Sequence, residues 1–310
     1  MKKELTPFEK AHRRKLLKTD LAGWGMAVWP LVGFFLFGFL PLVLSVILSF
    51  TDLKSYRLSE ASFIGFDNYR SLFSDPNFFL AIKNTLFYCL SMPISLVLGL
   101  FIATLLNRQL KGKKFYRTVF FIPYVCSVVA VAAMWKWMFN TDYGIINNVI
   151  RFFGGAGIPW LTDPHWFRIS MLIILVWSNT GFNIILFQAA LANISKSYYE
   201  SADIEGANIF QKFFHLTLPA ISPTTFYIVI MGLIGSLQVY TQMQVMANPA
   251  PFGPDKAGLT LVFYLVYVMR DGLTSMGMGL AAALAWILAA AICLITVFNF
   301  FFSKKWVHYD

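Results

Sequence analysis

The 310-residue chain is 58% hydrophobic and only 13% charged, with a mean hydropathy of +0.63 and a net charge of +10. A soluble domain keeps about 25% charged residues because its surface faces water, so this composition excludes a soluble globular protein. The basic residues are scattered beside apolar segments, which excludes a nucleic-acid-binding surface and is typical of loops between membrane helices.

Six windows without Asp, Glu, Lys or Arg are each long enough to cross a bilayer as a helix, which takes about 20 residues. In chain order they cover residues 21–51, 84–107, 118–135, 169–195, 213–254 and 272–303. From them we predict spans at 21–50, 81–106, 118–140, 167–190, 220–246 and 277–302. The predicted fold is therefore an all-α, polytopic membrane protein with one six-span domain over residues 21–303.

The distribution of basic residues predicts the orientation of these spans in the cell membrane. Sixteen Lys and Arg lie in segment 1–20, loop 107–117, loop 191–219 and tail 304–310, against six in the opposite loops. Cytoplasmic loops carry the excess of Lys and Arg, so both termini and both of these loops are expected in the cytoplasm. Residues 259–269 are apolar but too short to span, and they predict an interfacial or re-entrant helix.

Residues 191–219 contain the most informative local pattern of the chain. Ser197 and Glu200 have the spacing of a capping box, which predicts a helix beginning at Tyr198. Gly206 suits the left-handed position that ends such a helix, and Asn208 can cap a second one. This pattern predicts two short helices joined by a sharp bend. An amphipathic hairpin lying in the headgroup layer is the alternative that these residues leave open.

The same segment resembles the cytoplasmic loop of ABC-importer permeases. Glu200, Ala202, Gly206, Leu218 and Pro219 match that loop's pattern at the right offsets, while Ser201 replaces an alanine. The similarity to carbohydrate-uptake permeases of the maltose and glycerol-phosphate type extends along the chain, through residues 63–69, 84–85, 117–123, 135–137, 143–144 and 159–161. Residues 249–254 depart from the glycine-rich turn that is usual in the family after the fifth span.

The resemblance implies the type I permease fold and a function in binding-protein-dependent import of a sugar or oligosaccharide. It implies four kinds of partner: a second homologous permease, two ATPase subunits, an extracytoplasmic solute-binding protein and the sugar itself. The candidate residues for coupling to the ATPase are Glu200, Ser201, Ala202, Asp203, Gly206, Leu218 and Pro219. The chain contains no Gly-x-x-x-x-Gly-Lys-Ser/Thr sequence, so we expect no cofactor on this chain and ATP with Mg²⁺ on the partner ATPases.

Polar side chains within two predicted spans are candidates for the substrate pathway, because polar groups in a membrane tend to face the bundle interior or water. They are Trp177, Asn179, Asn183, Gln238, Tyr240 and Gln242. Asn179 and Asn183 are spaced i, i+4, as are Gln238 and Gln242, so the two members of each pair are expected on one helix face. In the resembling family these spans supply sugar contacts, and amides both donate to and accept from hydroxyl groups. Hydrogen bonding between neighbouring helices is the alternative role.

Three other functions remain as alternatives. The first is an ABC permease for a charged solute such as glycerol phosphate, although neither pathway stretch contains Lys or Arg. The second is a stand-alone secondary carrier, but the predicted spans contain no Asp or Glu for proton or sodium coupling. The third is an integral-membrane enzyme, for which no Gly-x-Ser-x-Gly motif is present.

Overall fold

The computed structural model describes residues 7–54, 61–107, 112–247, 251–271 and 277–307. Regular structure in these ranges is helical, apart from one isolated bridge between Thr51 and Phe63. The α-helices are α1 (Pro7–Phe34), α2 (Leu40–Leu48), α3 (Asp67–Ser74), α4 (Pro76–Tyr88), α5 (Ser91–Asn107), α6 (Lys113–Val125), α7 (Val128–Met138), α8 (Ile145–Phe152), α9 (Pro164–Asn193), α10 (Lys196–Ile204), α11 (Ile209–Lys212), α12 (Leu218–Ala220), α13 (Ser222–Leu237), α14 (Thr241–Ala247), α15 (Leu261–Asp271) and α16 (Met278–Ser303).

The predicted number of spans is confirmed when bent helix pairs are counted as one crossing each. Within the described ranges, four uninterrupted segments are long and apolar enough to cross a bilayer: Ala22–Leu48, Pro76–Asn107, Pro164–Asn193 and Met278–Ser303. Two further pairs meet the same criteria but are bent, namely Phe115–Val125 with Val128–Met138 and Ile209–Ala220 with Ser222–Leu237. Together they give six crossings. The predicted short helix at 259–269 is also present, as α15.

The third span is not the continuous helix predicted over 118–140. Its two halves, α6 and α7, meet at an angle of 100°. Cys126 and Ser127 between them have extended backbone, with ψ of 151° and 128°. Pro123 lies inside α6 and the helix continues past it to Val125, so the break is at Cys126 and Ser127 themselves. The prediction of one unbroken helix was therefore wrong here.

The fifth span, predicted as one helix over 220–246, is broken at two places. The first break is at Ile221, where the helix axis turns by 66° just before Ser222 and Pro223 start α13. The second separates α13 from α14 at residues 238–240. Here the hydroxyl of Thr260 donates to the carbonyl of Val239 at 2.7 Å, so a partner from a distant loop satisfies a carbonyl of the break.

Helix α9 forms the centre of the bundle, and α4, α5, α6, α13 and α14 all pack against it. Its approach to α5 is close because Gly99 faces Asn183, and a Cβ at Gly99 would lie 2.6 Å from the Asn183 Cβ. Its approach to α6 is closer still, since a Cβ at Gly181 would lie 2.1 Å from the carbonyl oxygen of Phe120. Small residues at such contacts let helix backbones pack tightly inside a membrane.

The connection after α14 is held by side chains of α4. The amide of Asn84 donates to the carbonyls of Lys256 and Leu259 at 2.9 and 3.0 Å. The hydroxyl of Tyr88 donates to the carbonyl of Ala257 at 2.8 Å. These bonds stabilise a connection in which Lys256 has a positive φ of 53°. Of the segment 249–254 that departs from the family pattern, residues 249 and 250 lie outside the described residues.

The first span has little contact with the rest of the bundle. Between α1 and α2 the helix widens into a π-helical turn at Phe35–Phe39, directly before Pro41. A π turn at this place accommodates the proline ring, which would otherwise crowd the carbonyl of the preceding turn. In the most apolar stretch of Ala22–Leu48, no residue is buried against the rest of the chain. This span is therefore available to lipid or to another subunit.

Candidate functional site

The segment between α9 and α13 forms the predicted pair of short helices, but its first helix begins earlier than predicted. The N-cap of α10 is Ser195, whose Oγ accepts a hydrogen bond from the backbone N–H of Ser197 at 3.3 Å. Ser197 itself is the second residue of the helix. The predicted capping box between Ser197 and Glu200 was therefore wrong, because a second serine two residues upstream takes the capping position.

The bend after α10 is confirmed at the predicted glycine. Gly206 has a φ of +74°, in the left-handed region. Its N–H donates to the carbonyl of Asp203 at 3.1 Å, and the N–H of Ala207 donates to the carbonyl of Ala202 at 2.9 Å. These two bonds are the Schellman arrangement that ends helices at a glycine. An added Cβ at Gly206 would meet no atom within 4 Å, so only the backbone conformation requires glycine.

The second helix starts at the predicted cap, and its α-helical part is four residues long. Asn208 and Gln211 form a reciprocal capping box, in which each side chain accepts from the other's backbone N–H, at 2.9 and 2.7 Å. After α11 the chain continues as a π-helical turn at Phe213–Thr217, followed by α12. Gln211 was not predicted, although a Gln three residues after an Asn cap is a recognisable signal.

Side-chain contacts tie the two helices of this segment, residues 195–220, into one unit, which we call the coupling hairpin after its candidate role. The Tyr199 hydroxyl hydrogen-bonds the Oγ1 of Thr217 at 2.9 Å, and Thr217 is 6% exposed. Asp203 forms an ion pair with Lys212 across the bend. Thr217 Oγ1 also donates to the Lys212 carbonyl at 3.2 Å. Sequence reasoning missed Tyr199, Lys212 and Thr217, since their partners lie 5 to 18 residues away.

The outward surface of the hairpin combines polar and large apolar side chains. Among the candidate coupling residues, Glu200, Ser201 and Asp203 are exposed, and Ala202 is half-buried. Ile204 and Phe210 are 89% and 72% exposed on the same unit. Exposed apolar side chains clustered on one small element are typical of a surface that another protein or a membrane covers.

The base of the hairpin contacts the interior of the bundle. Leu218 is half-buried and packs against the apolar cluster that includes Ala103 of α5, Ile184 of α9 and Ile228 of α13. Pro219, also half-buried, follows in α12. A movement of the hairpin would therefore reach three spans through Leu218, because close-packed interiors transmit displacement rather than absorb it.

The candidate pathway residues of α9 occupy different environments. Trp177 is half-buried and meets Trp135 edge to face, with 5.4 Å between ring centroids. Asn179 is exposed and its amide donates to the Leu175 carbonyl of its own helix at 2.9 Å. Asn183 is only 6% exposed and its amide donates to the Ser95 Oγ at 3.3 Å. The two asparagines lie on the continuous helix α9, as the i, i+4 spacing predicted, and Asn183 takes the alternative role of a hydrogen bond to the neighbouring helix α5.

The two glutamines of the fifth span, in contrast, do not share a helix face. Gln238 is the exposed C-cap residue of α13, whereas Gln242 is half-buried on α14. The break between those helices ends the i, i+4 relation that a continuous helix would give. Tyr240 lies in the break and packs edge to face on Phe263, at 5.5 Å between centroids. The prediction of a common glutamine face was therefore wrong.

One further residue beside the candidate pathway was not predicted. Trp135 stacks on Phe139, with 5.2 Å between ring centroids, and meets Trp177 edge to face. Its indole Nε1 is buried without a hydrogen-bond partner within the chain. Buried donors are normally paired, so an acceptor from outside the chain is the simplest partner. The described residues form no cluster of His, Cys, Asp and Glu that could hold a metal ion.

Comparison with known proteins places these features in a family context. The family model of inner membrane components of binding-protein-dependent transport systems matches residues 95–307, which include the whole coupling hairpin. The chain is 35% identical over 302 residues to the probable ABC transporter permease protein YesP of Bacillus subtilis strain 168, covering 96% of this chain and 95% of YesP. It is 31% identical over 290 residues to the lactose transport system permease protein LacF of Rhizobium radiobacter, covering 92% and 95%.

A solved structure has the same fold. The crystal structure of a bacterial ABC transporter involved in the import of the acidic polysaccharide alginate contains a chain that superposes with a TM-score of 0.81. The two chains are 26% identical, and the match covers 95% of this chain and 99% of the other. The likeness therefore extends over nearly the whole chain.

Proposed function

Because this chain belongs to the family of inner membrane components of binding-protein-dependent transport systems, we propose that it forms half of the pathway through which an ATP-driven importer moves a sugar or oligosaccharide. The observation that carries this proposal is the coupling hairpin. Its bend is fixed at Gly206, its two helices are tied by Asp203–Lys212 and Tyr199–Thr217, and its base packs on the bundle through Leu218. Such a rigid element can convert movement of an ATPase into movement of spans.

The assembly that we propose contains a second homologous permease, two ATPase subunits and an extracytoplasmic solute-binding protein. The hairpin docks on an ATPase subunit with Glu200, Ser201, Ala202 and Asp203 near the contact, beside the exposed Ile204. The first span, whose most apolar stretch is not buried within the chain, is a candidate surface for the second permease. This chain binds no cofactor in the proposal, and ATP with Mg²⁺ is held by the ATPase subunits.

A neutral sugar is favoured over a charged solute by the chemistry of the candidate pathway. Trp177, Asn179, Gln238 and Tyr240 offer aromatic faces and amides, which suit the ring and the hydroxyl groups of a sugar. The stretches 177–183 and 238–242 contain no Lys or Arg to pair with a phosphate or carboxylate. The alternative, a charged solute such as glycerol phosphate, is supported by the alginate importer, whose cargo is acidic.

The cargo is tested with the solute-binding protein of the same importer and then with the importer itself. The binding protein is screened calorimetrically against neutral mono- and oligosaccharides, acidic saccharides and glycerol phosphate. The best ligand is then offered to vesicles containing the complete importer. ATP-dependent uptake of a neutral saccharide is expected. Uptake of an acidic solute alone would favour the alternative, and uptake without binding protein or ATPase would contradict the importer.

The pathway proposal predicts that Gln238→Leu reduces sugar uptake about tenfold, because an exposed amide that bonds the solute is lost. Stimulation of ATPase activity by the loaded binding protein is expected to change little, since the coupling hairpin is intact. Gln244→Leu, on α14, is the matched control and should transport normally. Asn183→Leu should instead lower the amount of assembled protein, because it removes the bond to Ser95. Normal uptake by Gln238→Leu would place the pathway elsewhere.

The proposed orientation, with both termini and the hairpin in the cytoplasm, predicts the reactivity of single cysteines. In a chain lacking Cys89, Cys126 and Cys293, Asp255→Cys should react with an impermeant thiol reagent in intact cells. Asp255 lies on the exposed external connection. Leu16→Cys and Leu110→Cys should react only after the membrane is opened, although residue 110 lies outside the described residues. Labelling of Leu110→Cys from outside would contradict the six-span topology.

A further inference from the structure

A groove between α6 and α9 lies apart from the residues assigned to coupling and to the pathway. Its volume is about 690 Å³, within the range of small-molecule sites, and it is open along one side. Most of its wall is apolar, formed by Phe121, Ile122 and Val125 of α6 and by Ile185 and Ala189 of α9. A wall of this composition fits a hydrocarbon chain.

Two hydrogen-bond donors interrupt this apolar wall. The side chain of Gln188 is 4% exposed, lines the groove and leaves its Nε2 without a partner within the chain. The exposed guanidinium of Arg117 lines the same groove. No Asp or Glu is among the lining residues, so the groove itself offers Arg117 no carboxylate. A buried amide N–H without a partner is costly, which indicates that an acceptor occupies the groove in the membrane.

Both donors lie near one end of the bundle, where a lipid headgroup would be found. Arg117 immediately precedes the charge-free window that begins at residue 118, and Gln188 lies seven residues before the end of the window at 195. Both residues line the same groove. Arg117 is also the last residue of segment 107–117, which contains five Lys and Arg.

We propose that this groove binds one anionic phospholipid. The Arg117 guanidinium pairs with the phosphate, and the Gln188 amide donates to a phosphate or glycerol-ester oxygen. One acyl chain lies along Phe121, Val125 and Ile185. Basic pockets between membrane helices are suited to anionic headgroups. The oxygen acceptors of a phospholipid would meet the two donors of this groove, and its hydrocarbon chain would lie along the apolar wall. A helix of another subunit matches the two donors less well, because its backbone carbonyls already accept hydrogen bonds within the helix.

The proposal is tested on the complete importer reconstituted in phosphatidylcholine alone or in an equimolar mixture with phosphatidylglycerol. Native mass spectrometry should detect one retained phosphatidylglycerol per copy of this chain. Arg117→Gln is expected to weaken that retention about tenfold, since a charge-assisted hydrogen bond is lost. Lys304→Gln removes an exposed cation outside the groove and should leave retention unchanged. Equal retention by wild type and Arg117→Gln would overturn the proposal.

Gln188→Leu separates a lipid site from a simple packing defect. In phosphatidylcholine alone this variant should melt at the same temperature as wild type or higher, because an unpaired buried amide is replaced by an apolar side chain. In the mixture, wild type should gain thermal stability from the anionic lipid and Gln188→Leu should not. A stabilisation by phosphatidylglycerol that is equal in both proteins would overturn the assignment of Gln188.

The occupant is identified with a photoreactive amino acid at Ala189, which is exposed within the groove. Irradiation of the importer in the mixed membrane should yield an adduct with the mass of phosphatidylglycerol. Inorganic phosphate added in excess should not reduce the adduct, which distinguishes a lipid from a free anion. A crosslink to the second permease in place of the lipid adduct would show that the groove is a subunit interface and would refute the proposal.

Discussion

Replacing Gly206 with valine is expected to reduce uptake about tenfold or more, because the left-handed backbone at this position costs a residue with a Cβ roughly 1–2 kcal/mol and a β-branched one more. Gly206 has a φ of +74°, and its bend sets the angle between α10 and α11. Relief of the strain would shift the Asp203–Lys212 pair and the Tyr199–Thr217 bond. The hairpin would then meet the ATPase in the wrong geometry. Uptake and ATPase stimulation should fall together.

Two controls isolate the backbone effect. An added Cβ at Gly206 meets no atom within 4 Å, so the position has room for a Cβ and the expected strain lies in the backbone. Gly206→Asn introduces a side chain of similar size, but asparagine tolerates the left-handed region, so this variant should retain most of the uptake. The amount of Gly206→Val protein in the membrane should equal that of wild type. Normal uptake by Gly206→Val would refute the role of the hairpin as a rigid lever.

Gly181→Ala is expected to destabilise the protein by about 1–3 kcal/mol or more, since it forces extra volume into a packed contact. A Cβ at this position would lie 2.1 Å from the carbonyl oxygen of Phe120, which belongs to the backbone of α6 and cannot rotate away. Helices α6 and α9 would have to separate. We expect a lower melting temperature of the purified importer and less full-length chain in the membrane.

The same substitution elsewhere in the membrane serves as the matched control. Gly235 lies in α13, and a Cβ there would meet no atom within 4 Å. Gly235→Ala should therefore leave stability unchanged or raise it by up to about 1 kcal/mol, because alanine favours a helix over glycine. Equal stability of Gly181→Ala and Gly235→Ala would contradict the close approach of α6 and α9.

The features predicted correctly from the sequence are those whose physics is local. A charge-free window satisfies its own backbone hydrogen bonds as a helix, so the six crossings could be read without knowing their neighbours. The bend at Gly206 and the cap at Asn208 depend on a few adjacent residues. The family resemblance of residues 200–219 is likewise a pattern along the chain. The capping residue of α10 was misplaced only because Ser195 and Ser197 are both capable of that role.

The sequence by itself therefore determined that this protein crosses the membrane six times and carries a bent hairpin of the permease type. Only the tertiary structure decided that Asn183 is covered by α5, that Gln238 and Gln242 lie on separate helices, and that the amide of Gln188 lines a groove without a partner. Periodicity gives the face of a helix on which a residue lies. Whether that face meets another helix, the pathway or lipid depends on contacts between segments distant in the chain, and no local pattern encodes those.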